Sequence, residues 1–109
     1  MSFIHVDEDN FDAVLEREFA NEKVVILKFE SHYNDACQVM QIELEELCDR
    51  LTNISVLNID SGVCTNLSQR YFIEEVPTTL IFKTAEKQLF YRAGVALADD
   101  MINAILKDF

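Results

Sequence analysis

The apolar residues change period several times along the chain, and each change marks a predicted element. Phe3-Ile4-His5-Val6 predicts a short first strand. Phe11, Val14, Leu15 and Phe19 then recur on one helical face. Asp7 is placed to cap that helix, acids crowd its start where the helix dipole favours them, and Asn21-Glu22-Lys23 closes it. Val24 to Phe29 is nearly continuous apolar sequence, as in a strand buried on both faces. The next helix is expected from about Asp35 to Leu51, with Asn34 as N-cap, Cys37 in the first turn, and Met40, Leu44, Leu47, Cys48 and Leu51 as its buried stripe. Ile54 to Ile59 predicts a strand, and Ser61 or Thr65 starts a short helix reaching about Tyr71. After Pro77, Thr78 to Lys83 and Gln88 to Ala93 predict an antiparallel hairpin turning through Thr84-Ala85-Glu86-Lys87. Gly94 ends it, and Ala98, Met101, Ile102, Ile105 and Leu106 stripe a terminal helix. The order is βαβαβαββα, an α/β chain. Its parallel front half takes a right-handed crossover, and one mixed central sheet with helices on both faces is the natural packing.

Composition narrows the function classes. At 109 residues, half of them apolar, residues 1–109 read as a single domain with its own core. No repeat, linker or low-complexity segment interrupts it. Twenty acidic against nine basic residues disfavour nucleic acid and anionic membrane as partners. No apolar run approaches the roughly 20 residues of a membrane span, and the N-terminus has no signal-peptide pattern. A cytoplasmic, reducing location is the expectation. Three irregularly spaced cysteines fit free thiols better than a disulfide framework, no Cys/His spacing implies zinc or another metal, and no cofactor is implied.

Val24–Phe29, Tyr33 through Cys37, Leu57-Asn58-Ile59-Asp60, Val76-Pro77-Thr78, Phe82-Lys83 and Gly94 together resemble the thioredoxin superfamily over essentially the whole chain. The resemblance implies a thioredoxin-like fold and a cis bond before Pro77. It also implies a site at Tyr33-Asn34-Asp35-Ala36-Cys37, where the family carries Trp-Cys-Gly-Pro-Cys. In that frame Asn34 occupies the attacking position, and an amide is no nucleophile. Cys37 matches the resolving cysteine, Lys28 replaces the family's buried carboxylate, and Val56 replaces the lysine that usually faces it. The motif is degenerate, so loss of ordinary dithiol activity is expected. A single cysteine in the second position is also similar to the phosducin-like proteins, which carry in addition an N-terminal helical extension.

Cys37 is the candidate catalytic residue. The helix terminus and Lys28 favour a thiolate there, while Asp35 and burial oppose it. The functional reading is a monothiol accepting glutathione or a partner cysteine. The bland reading is an inert, buried helix-start residue. Asn34 and Asp35 are explained as N-cap and dipole-favoured first-turn residues, and Ala36 restores an N–H where the family has proline. Lys28, in a buried strand, needs a partner such as Glu30 or an escape to water, and this is favoured over support of a Cys37 thiolate. His32 reads as a solvated loop residue. Cys48, roughly 16 Å along the helix from Cys37, reads as core. Cys64 lies at the same sheet end as Cys37, and a dithiol enzyme pairing the two is a remote third reading. Tyr33, Val76, Pro77, Thr78 and Gly94 are expected to form a shallow patch where, as the resemblance implies, an extended protein or peptide segment pairs with the backbone of Val76. A binding module with little or no reductase activity is therefore preferred, with a monothiol redox protein as the alternative.

Overall fold

Strand β2 (Val24–Glu30) is the most apolar stretch of the chain and takes the most enclosed place. The computed structural model describes residues 2–32 and 34–108. β2 pairs in parallel with β3 (Ile54–Asp60) and antiparallel with β4 (Thr78–Thr84). β1 (Phe3–Val6) lies outside β3, and β5 (Lys87–Ala93) lies outside β4, giving the order β1-β3-β2-β4-β5. The chain thus has an α/β thioredoxin-like fold, one mixed sheet with helices α1 (Phe11–Ala20), α2 (Asp35–Arg50), α3 (Thr65–Arg70) and α4 (Ala98–Leu106).

Alternation along β2 separates two cores. Val24 and Ile26 face α2 and α4, packing against Met40, Leu44, Met101 and Ile105. Val25, Leu27 and Phe29 face α1 and α3, packing against Phe11, Val14 and Leu67. Both faces are covered, so β2 needs no polar side for water. Each fully buried aliphatic side chain here contributes roughly 1.5–3 kcal/mol. By the same alternation Lys28 points toward α2, on the sheet face that Val24 and Ile26 share.

Several details differ from the sequence expectations. The Asp7 carboxylate accepts from the N–H groups of Asp9 and Asn10, so it caps a turn ahead of the helix, which starts only at Phe11. Of the two starts offered for the third helix, the structure takes Thr65. The hairpin turn is shorter, because Thr84 and Lys87 are already paired. Leu106 is 52% exposed and so is not part of the terminal helix's buried stripe.

Glu18 is a further surprise: it sits on the buried face of α1 and accepts a hydrogen bond from the Ser55 hydroxyl of β3. That bond, and then the one from Arg17, hold its carboxyl below the usual glutamate range. A lowered folded value stabilises the fold above the ordinary glutamate range, and the gain is lost as pH falls through the folded value. Ser55→Ala should therefore cost about 1–2 kcal/mol at neutral pH. In thermal melts across pH, its deficit against the wild type should narrow below about pH 4. A deficit constant with pH would exclude the ionised carboxylate as its source.

Phe72 follows the C-cap of α3 with φ +57°, and the N–H of Ile73 closes back on the Ser68 carbonyl. Glycine suits this left-handed position, and a bulky aromatic does not. The ring gains little by burial, being 84% exposed. Phe72→Gly should raise the unfolding free energy by about 0.5–1 kcal/mol, as relief of left-handed strain outweighs the added freedom of the unfolded chain. A fall in the urea midpoint would show that the ring packs in solution.

Candidate functional site

The carboxyl ends of β2 and β3 and the start of α2 meet at one end of the sheet. Asn34 has extended backbone and begins α2: its Oδ1 accepts from the Cys37 N–H at 3.2 Å. Its Nδ2 donates to the Val76 carbonyl at 3.3 Å, tying the start of α2 to the segment ahead of β4. Asp35 and Ala36 follow in the first turn, Asp35 exposed and Ala36 half-buried. Tyr33 lies outside the described residues.

Cys37 is 4% exposed, and its Sγ accepts from the Ser31 N–H at 3.5 Å. It shares a cavity of about 190 Å³ with Lys28, Glu30, Ser31, His32, Gln38 and Gln41. Lys28 is 1% exposed and stays within the protein. Its ammonium makes an ion pair with Glu30 at 2.8 Å and donates to Gln41 Oε1 at 2.8 Å. A carboxylate 2.8 Å away largely offsets the cation as a source of positive field for a neighbouring sulfur. Register places Asn58 of β3 and Thr79 of β4 on either side of Lys28, both buried. Asn58 Oδ1 and Thr79 Oγ1 have no partner among the described residues. This polar row across the three central strands escaped the sequence reading, because an asparagine and a threonine at strand positions carry no signal until register is known. His32 is exposed, yet its Nε2 lies 3.1 Å from Asp60 Oδ2.

The three thiols are unpaired. Cys64 is buried against the α1 and α3 core, and burial, reinforced by Glu8, Asp60 and Asp7, pushes its thiol up. Cys48 is half-buried beside the other core, with its thiol raised chiefly by burial. Among the described residues no cluster of His, Cys, Asp and Glu is built to hold a metal ion, and no helix is long and apolar enough to cross a membrane.

The patch ahead of β4 is narrower than expected. The Val76–Pro77 bond is cis. Pro77 and Thr78 are buried, and the Thr78 hydroxyl is spent on the Glu75 carbonyl at 2.7 Å, so neither side chain forms the surface. Val76 and Gly94 are half-buried and reach it. Gly94 has φ +94° and donates its N–H to the Pro77 carbonyl at 2.7 Å.

The chain belongs to the thioredoxin family, whose model matches residues 2–107. Thioredoxin Y, chloroplastic, of Oryza sativa subsp. japonica is 36% identical over 78 residues, covering 71% of this chain and 45% of the relative. Thioredoxin M-type, chloroplastic, of Triticum aestivum is 29% identical over 86 residues, covering 78% and 47%. The chain thus spans about half the length of these curated relatives. Among solved structures, chloroplastic thioredoxin z superposes with a TM-score of 0.82 at 18% identity, over 98% of this chain and 94% of the other. Thioredoxin f2, solved in complex with ferredoxin:thioredoxin reductase, gives 0.80 at 21% identity over 98% and 94%. At such identities the structures establish the shared fold. They also show neighbours of this fold engaging protein targets.

Proposed function

We propose that this thioredoxin-family chain is a protein-binding module with little or no dithiol reductase activity, docking an extended segment beside Val76 and Gly94. The carrying observation is Asn34. In the place where the family motif has its attacking cysteine stands an amide with both ends engaged, one on the Cys37 N–H and one on the Val76 carbonyl. An amide cannot attack a disulfide, and the remaining sulfur at the site is almost wholly buried. The cation beside it is engaged by Glu30 and Gln41, in place of the family's carboxylate–lysine pair. The protein target is supported by the family and by the half-buried backbone at Val76. A reducing, cytoplasmic location suits three unpaired thiols and is carried as part of the proposal.

Insulin reduction with a dithiol regenerant, alongside Cys37→Ser, tests the catalytic half. Both proteins are expected at background; wild-type turnover that vanishes in the variant would overturn the reading. A monothiol function for Cys37 is the second reading, favoured by the polar cavity that its sulfur shares with Lys28 and Gln41. Rapid iodoacetamide labelling of Cys37 in the folded protein is the outcome that would support it.

A further inference from the structure

Resting on the docking reading above, one feature of the segment ahead of β4 limits what can dock. Its three successive carbonyls are all taken by the chain itself. Glu75 O accepts from the Thr78 hydroxyl at 2.7 Å, Val76 O from Asn34 Nδ2 at 3.3 Å, and Pro77 O from the Gly94 N–H at 2.7 Å. The Val76 N–H has no partner among the described residues, and Pro77 has none to offer. The segment therefore keeps one donor unused, while each of its carbonyls already accepts one bond. Ordinary strand addition uses both groups of a backbone residue, one bond in each direction.

We infer that Asn34 sets the specificity of this site: it selects an extended segment whose residue opposite Val76 supplies a carbonyl but no N–H, namely a proline. An incoming N–H would meet a carbonyl already bonded to the Asn34 amide. It would have to share that oxygen, displace the amide, or stay unpaired and desolvated. Proline carries no such N–H and is already ordered in an extended conformation. An anion would also satisfy a lone donor, but Glu74 and Glu75 adjoin the site and the chain carries a net charge of −11, so a neutral carbonyl is favoured. The same amide caps α2, so the selection comes from a residue the helix needs anyway.

The test uses lysine-flanked, end-capped octapeptides identical except for alanine, N-methylalanine or proline at one position, which is walked along the peptide. Binding is read from the chemical shift of the Val76 amide in the 15N-labelled protein. At one position, N-methylalanine and proline should bind the wild type at least as well as alanine. In Asn34→Ser, which keeps a capping hydroxyl but cannot reach Val76, the preference should swing toward alanine by about threefold to tenfold. Asn34→Asp, with the same shape and cap but no donor, should swing the same way and guards against a folding defect in the serine variant. An alanine-to-N-methylalanine ratio unchanged by both variants would overturn the role of Asn34 while leaving docking intact. Failure of every peptide to move the Val76 amide would overturn both this inference and the docking reading beneath it.

Discussion

Asn34→Cys should raise insulin reduction over that of the wild type by roughly two orders of magnitude. The expected gain follows from geometry already in place. The Cys37 N–H closes back on the Asn34 carbonyl at 3.1 Å, so the two positions lie one turn apart at the start of α2. Residues three apart at a helix start are neighbours, and a modest backbone adjustment at Asn34, which is extended rather than helical, would bring the two Cβ atoms into the roughly 3.5–4.5 Å range of a disulfide. The new sulfur would stand at the helix N-terminus, where a thiolate is stabilised. Two costs accompany it. Losing the amide cap removes about 1 kcal/mol, and the half-buried Glu30 carboxylate, engaged by Lys28, is not free to take a proton from Cys37. Turnover should therefore remain below that of a two-cysteine relative. Intact mass after mild oxidation reports whether the two sulfurs join. A variant that forms the bond yet stays at background would show that the defect lies elsewhere, with the Lys28 pair as the next suspect.

The second large effect concerns stability. Glu30→Gln should cost about 3 kcal/mol, lowering the melting temperature by roughly 10–15 °C. The substitution barely changes volume, but it leaves the Lys28 ammonium, 1% exposed, with only neutral amides as partners. An uncompensated buried charge is among the costliest single changes a core can suffer. Lys28→Met combined with Glu30→Gln removes the charge as well as its partner, and should recover most of the loss. Thermal melts of the single and double variants measure the coupling directly. A Glu30→Gln protein within about 1 kcal/mol of wild type would mean that Lys28 reaches water in solution.

These two residues also mark how far the sequence could be read. Lys28 was legible as an anomaly, since a cation within Val24–Phe29 demands a partner, and the nearby Glu30 was a reasonable candidate. Gln41 was not, because it lies on α2 and meets the lysine only once the helix crosses the sheet. Asn58 and Thr79 were invisible for the same reason: only register sets them beside Lys28. Glu18 was unremarkable on an acidic helix until β3 brought Ser55 against it.

By itself the sequence determined the element order, the strand buried on both faces, the cap at Asn34 and the absence of sulfur there. All of these follow from local periodicity, capping chemistry and residue identity, which act within a few positions of the chain. Only the tertiary structure decided that the Asn34 amide reaches Val76, that Thr78 turns inward, and that Lys28 is paired rather than free. Those outcomes depend on which strands become neighbours and on how far each side chain lies from water once both faces of the sheet are covered, and neither distance nor burial is written in the spacing of residues.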